Sequence, residues 1–114
     1  MPFKFQKQKK IKNKADFQFV YNQKTKISQK FLIATYKKNN FSYPRLGVTV
    51  SKRVSKLAVT RNKIKRIVRE QFRLNQARLP KIDIVIIMRP EAVKLSKNAL
   101  QEQINKLWKK LSEV

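Results

Sequence analysis

The run Ile82-Asp83-Ile84-Val85-Ile86-Ile87-Met88 constrains this chain more than any other stretch. Successive side chains of a strand point to opposite faces, so a run apolar at both parities wants cover on both sides. That predicts the central strand of a sheet. Pro80 and Lys81 precede it, and Arg89 and Pro90 end it. At seven residues it falls far short of the roughly 18 apolar residues of a membrane span.

The remaining elements are read around that strand. Phe17, Val20 and Tyr21 lie at helical spacing between Asn13 and about Lys24, with Asn13 or its neighbour as the cap. Lys30 to Lys37 is rich in β-branched and aromatic residues and predicts a strand. Lys38 to Pro44 reads as a turn. Arg45 to Arg53 alternates, with Leu46, Val48 and Val50 on one face and Arg45, Gly47, Thr49, Ser51 and Arg53 on the other. It is expected to pair with the preceding strand as a hairpin. A long helix follows from about Leu57 to Leu74. Ser96 caps a last helix with the stripe Leu100, Ile104, Leu107, Trp108 and Leu111. The order is α-β-β-α-β-α, with room for one extra short strand. A helix between the second and third strands permits a parallel pair. The expected fold is a small α+β two-layer sandwich, in which a β-α-β crossover carries a basic helix. Residues 1–12 read as a mobile basic arm and residues 13–114 as a single domain.

Charge narrows the function. The chain has 29 Lys and Arg against 6 Asp and Glu, a net +23. The basic residues are spread along the sequence, so the folded body itself is basic. Such a body repels itself, and a polyanion relieves the repulsion. With no cysteine and no histidine, thiolate metal sites and the commonest general base are missing. The six carboxylates, Asp16, Glu70, Asp83, Glu91, Glu102 and Glu113, are scattered, which argues against a self-sufficient nuclease. Gly47 is the only glycine, so no glycine-rich phosphate loop is possible. The basic amino terminus lacks the apolar stretch of a secretory signal, and a cytoplasmic location is expected. A membrane-surface role for the basic arm conflicts with the strand pattern and with a basic stripe on the long helix.

That stripe lies in the long helix. At about 100° per residue, Arg61, Asn62, Lys65, Arg66, Arg69 and Arg73 fall on one arc of roughly 140°. Ile64, Ile67, Val68 and Phe72 occupy a largely separate arc. Solvated helix faces usually mix signs, yet Glu70 is the only acid between Asp16 and Asp83. Like charges on adjacent turns weaken an isolated helix, and aligned phosphates would reverse the effect. Arginine predominates, and its planar fork suits bidentate phosphate contacts. Asn62 can read a base edge or a sugar.

Arg61-Asn62-Lys63-Ile64-Lys65-Arg66-Ile67-Val68-Arg69-Glu70 resembles the signature helix of the bacterial ribonuclease P protein family. Lys63 departs from it, replacing the family's usual arginine. Further blocks share the resemblance in order and spacing: Lys14-Ala15-Asp16-Phe17 with Val20-Tyr21, Arg45 to Arg53, Ala58, and Asp83 to Arg89. It extends over about residues 9 to 111.

The resemblance implies a left-handed crossover between parallel strands, against the usual rule. It implies an accessory to a catalytic RNA that binds Mg2+ and removes the 5′ leader from precursor tRNA, with no catalytic residue in this chain. The enzyme is then an endoribonuclease only as a ribonucleoprotein, and the protein alone is expected to be monomeric. By the same resemblance Arg61, Asn62, Lys63, Lys65, Arg66, Arg69 and Arg73 face the RNA subunit. Phe17, Tyr21, Tyr36, Thr49, Ser51, Lys52 and Arg53 face the precursor-tRNA leader, in a cleft between the first helix and the sheet. Ala34 stands where the family often has a larger residue, and Tyr36, on the same face, is taken as its replacement. Composition alone fits a structural, ribosomal-type RNA-binding protein equally well.

Overall fold

The computed structural model describes Ile11 and residues 25–114. Strands β1 (Lys26–Ser28), β2 (Leu32–Lys38) and β3 (Arg45–Thr49) come first, followed by helix α1 (Ala58–Asn75). A 3-10 turn (Gln76–Arg78), strand β4 (Ile82–Met88), a second 3-10 turn (Pro90–Lys94) and helix α2 (Lys97–Ser112) complete the order. The extra short strand is β1. The helix expected over residues 13–24, with Phe17 and Tyr21, lies outside the described residues.

The sheet order is β1-β2-β4-β3. This corrects the expected hairpin between β2 and β3. The last strand inserts between them, antiparallel to β2 and parallel to β3. The reason is burial. β4 is buried at every position but Ile87, and only the interior of a sheet covers a strand so completely. The parallel β3–β4 pair makes α1 the crossover connection between them.

Register sorts the side chains into two faces. Leu32, Ala34 and Tyr36 of β2 stand opposite Met88, Ile86 and Ile84. Leu46 and Val48 of β3 stand beside Ile84 and Ile86. This face packs on α1 and α2, which contribute Ile64, Ile67, Val68 and Phe72, and Leu100, Ile104, Leu107, Trp108 and Leu111. Phe72 meets Trp108 edge-on, centroids 6.1 Å apart, a favoured aromatic geometry. The opposite face carries Ile33, Thr35 and Lys37, then Asp83, Val85 and Ile87, then Arg45, Gly47 and Thr49. Ile11 packs there on Val85, and its N–H donates to Leu46 O at 3.0 Å. A docked residue thus falls within the stretch read as an arm.

Two local readings need correction. β3 ends at Thr49. Ser51, Lys52 and Arg53 belong to a turn closed by Val54 N–H on Ser51 O at 3.0 Å. The sequence still alternates there, but Val54 is 4% exposed and draws the chain out of the strand. Tyr36 packs with the helix-facing core, so it lies on the face opposite Thr49. Ala34 shares Tyr36's face, as expected, and is fully buried.

One polar knot fixes the parallel register. Arg45 and Asp83 are direct neighbours across β3 and β4. Arg45 Nε donates to Asp83 Oδ1 at 2.9 Å and Nη2 to Oδ2 at 2.6 Å. Asn39 Nδ2 donates to Asp83 Oδ1 at 2.9 Å and to Tyr43 O at 3.2 Å. A carboxylate in a central strand is tolerable only when so satisfied. Asp83→Ala should therefore cost about 3 kcal/mol in urea unfolding, because it removes the acceptor of three N–H donors, two of them on a half-buried guanidinium. Replacing Arg45 and Asp83 together by Met and Leu should cost clearly less. Equal losses from the two changes would assign the pair no coupling.

Candidate RNA-binding surface

Helix α1 forms because Ile64, Ile67, Val68 and Phe72 recur at helical spacing and bury one side. The remaining arc then has to face water. Asn62 and Arg66 on it are exposed, and Arg61, Lys65, Arg69 and Arg73 are half-buried. No side chain caps the amino end of α1, and its first turn contains no acid. The positive end of the helix dipole therefore adds to the cationic stripe.

The stripe is not uniform. Arg61 turns back on the loop before the helix, and its Nη1 donates to Ser55 O and Lys56 O, both at 3.0 Å. It ties the 51–57 connection to α1. Arg73 pairs with Glu70 one turn earlier, its Nε donating to Oε2 at 3.1 Å. That hydrogen bond, more than any other influence, holds the Glu70 carboxyl below the ordinary glutamate value of 4.5. Among the described residues, Lys65, Arg66 and Arg69 enter no ion pair. Arg61 enters none either, but its guanidinium is engaged by backbone carbonyls.

Lys63 stands apart. It lies about 200° around the helix from Arg61 and lines the groove between α1 and α2 with Thr60, Ile67 and Lys97. Arg66 borders the neighbouring part of that groove with Glu70, Lys97 and Gln101. The seven residues assigned to one RNA contact from sequence therefore divide between a main stripe and the groove side of the helix.

The second expected surface, a cleft between the first helix and the sheet, is represented among the described residues by the sheet face opposite α1 and α2. Thr49 stands there in one row with Ile87, Ile33 and Ser28. Ser51, Lys52 and Arg53 are exposed in the connection that leads from Thr49 to α1. The structure thus brings Thr49, Ser51, Lys52 and Arg53 into one run toward Arg61, and leaves Tyr36 on the other side. Sequence reasoning misses Arg89, which it treats only as the end of β4. Its Nη2 donates to Ser28 Oγ at 2.9 Å, so it borders the same row. A cation closing an otherwise apolar strand is the signal that could have found it. Among the described residues, no group of three or more acidic side chains could hold a metal ion. Nor is any described helix long and apolar enough to cross a membrane.

The family model for ribonuclease P matches residues 5–112. This chain belongs to the ribonuclease P protein family. It is 37% identical over 110 residues to the ribonuclease P protein component of Legionella pneumophila (strain Lens), covering 96% of this chain and 95% of that one. It is 38% identical over 112 residues to that of Aliivibrio fischeri, covering 98% and 96%. Among solved structures, the ribonuclease P protein of Staphylococcus aureus superposes with a TM-score of 0.81 at 32% identity, over 90% of this chain and 97% of that chain. That of Thermotoga maritima gives 0.79 at 28% identity, over 92% and 96%. Membership decides between the two readings that composition left open. In a ribonuclease P protein the basic helix belongs to a subunit that is itself not catalytic.

The Glu70–Arg73 pair gives a prediction. At neutral pH the carboxylate is charged and shares Arg73. Glu70→Gln should tighten RNA binding at low salt and steepen its salt dependence. The lowered pKa fixes the sign of the pH effect. Wild type should approach the variant only as pH falls below the ordinary glutamate range and through the lowered value, where Glu70 gains its proton. Binding titrations at several pH values check this, and identical affinities at pH 7 would mean that Glu70 does not restrain Arg73.

Proposed function

We propose that this chain is the protein subunit of a ribonuclease P holoenzyme. It binds the catalytic RNA through α1 and the single-stranded 5′ leader of precursor tRNA along the sheet face that carries Thr49. The observation that carries this reading is the stripe of Lys65, Arg66 and Arg69, unshared among the described residues, on a helix whose other side is core.

The division of labour follows from chemistry. The RNA subunit holds the divalent ions, Mg2+ among them, and supplies the hydrolytic centre. The protein contributes position and charge. Arg66 and Arg69 form bidentate contacts to phosphates of the RNA subunit, and Lys65 adds a point charge. Arg61 is half committed to Ser55 and Lys56, so it orients the connection as well as the RNA. Asn62 offers a donor and an acceptor beside it. Lys63 and Arg73 flank this contact from the groove side and the last turn of α1.

The leader follows Thr49, Ser51, Lys52 and Arg53. Phe17 and Tyr21 supply rings for stacking, which tolerates varied sequence because every base has a π face. Tyr36 is left out of this track because it sits half-buried on the helix-facing side of the sheet. The complex acts in the cytoplasm, and the protein alone is monomeric.

The test is cleavage of precursor tRNA by a bacterial ribonuclease P RNA at low magnesium. The reaction is run with this protein, without it, and with polylysine of matched charge. Stimulation beyond polylysine at the correct 5′ site is expected. Stimulation no greater than polylysine would leave only nonspecific charge screening.

Two sets of variants separate the surfaces. Arg66→Ala with Arg69→Ala should weaken RNA-subunit binding. The same change should reduce the salt slope by about 0.7–0.9 for each phosphate that is no longer neutralised. Phe17→Ala or Tyr21→Ala should instead lower the preference for precursor over mature tRNA. Filter binding at several salt concentrations measures both. Equal effects of both sets on both quantities would refute the division.

A further inference from the structure

The loop between β2 and β3 carries an aromatic–cation stack with no part in the function described above. Phe41 is 42% exposed. Its ring lies on the Arg45 guanidinium, with Cζ 4.3 Å from the centroid. The Tyr43 ring is 5.5 Å away, tilted by 33°. The backbone N–H of Phe41 donates to Asn39 Oδ1 at 3.0 Å. Asn39 is itself anchored, its N–H donating to Lys81 O at 3.0 Å and its amide holding Asp83 and Tyr43. A large ring is thus ordered in a surface loop while much of it stays in water. Ordering costs conformational entropy, and burial of the ring offsets it only in part, since 42% of the residue stays exposed.

Its position gives the ordering a purpose. Arg45 and Asp83 lie on the sheet face that carries Thr49. Lys37 occupies the same row as Asp83 and Arg45. Arg45 is four residues before Thr49 along β3, roughly 13 Å at strand spacing. The Phe41–Arg45 stack therefore stands at the end of this face remote from the amino end of α1. Lys37 and Lys38 close β2 at that end and supply cations for flanking phosphates.

We propose that Phe41, backed by Arg45, is a stacking platform for one unpaired nucleobase of the precursor-tRNA leader. The platform extends the leader track beyond Thr49, and it rests on the leader-binding reading given above. Its selectivity is for an unstacked base of any identity, since the contact is ring on ring. The competing role is a lid that only shields the Arg45–Asp83 pair, and that role predicts a loss of stability without regard to substrate.

The experiment uses the reconstituted holoenzyme with wild type, Phe41→Ala and Phe41→Trp. Binding is measured for mature tRNA, for precursor tRNA, and for precursors carrying a single abasic nucleotide at each leader position in turn. Phe41→Ala should loosen precursor binding by about 5-fold or more, the factor for roughly 1 kcal/mol of stacking. It should leave mature tRNA unaffected, and Phe41→Trp should bind as wild type or tighter. One abasic position should abolish the difference between wild type and Phe41→Ala. No change in precursor binding, an equal loss on mature tRNA, or a Phe41 effect that survives every abasic position would each overturn the platform. Failure of the underlying reading looks different. There the wild-type holoenzyme would show no greater preference for precursor over mature tRNA than the RNA subunit alone.

Discussion

Strand β4 has to be hidden on both faces, and the architecture follows from that. Its apolar residues fall at both parities, and all but Ile87 are buried. Placing it between β2 and β3 satisfies both of its edges. That insertion makes β3 a parallel neighbour, and a parallel neighbour needs a crossover. The crossover is α1, so the demand of one apolar strand puts the most basic helix of the described chain on the outside of the sandwich. The Arg45–Asp83 pair then holds the register that the insertion requires.

The same arrangement reconciles a large net charge with a stable core. Every residue of the principal cluster is apolar, and the cations are left to helix arcs, strand ends and loops. Self-repulsion at +23 is lowest when those cations meet a polyanion. Arg61 links the two surfaces. It belongs to α1 but holds Ser55 and Lys56, so the connection from Thr49 arrives at the helix in one fixed way.

Much of this is legible in the sequence because it depends on local periodicity. The α1 arc and the stripe of α2 follow from a repeat of 3.6 residues, the burial of β4 from apolar residues at both parities, and the Ser96 cap, whose Oγ accepts the Ala99 N–H, from its place just before the α2 stripe. What the sequence misleads about is nonlocal. Chain proximity favours a β2–β3 hairpin, and a strand from much later in the chain displaces it. Tyr36 goes to the wrong face on sequence alone because parity within β2 is readable, whereas its relation to Thr49 runs through two registers across β4. The end of β3 is overrun because Ser51 and Arg53 continue an alternation that Val54 breaks by burying itself.

By itself, then, the sequence determined the element types, the apolar and basic faces, the absence of cysteine and histidine chemistry, and the resemblance carried by the α1 motif. These are properties of short windows, where side-chain spacing and covalent geometry suffice. The tertiary structure alone decided that β4 separates β2 from β3, that Lys63 lines the α1–α2 groove, that Arg73 is shared with Glu70, and that Phe41 rests on Arg45. Each of these depends on which surfaces meet across the core, and that choice is settled by the total burial of the assembled chain rather than by any window of it.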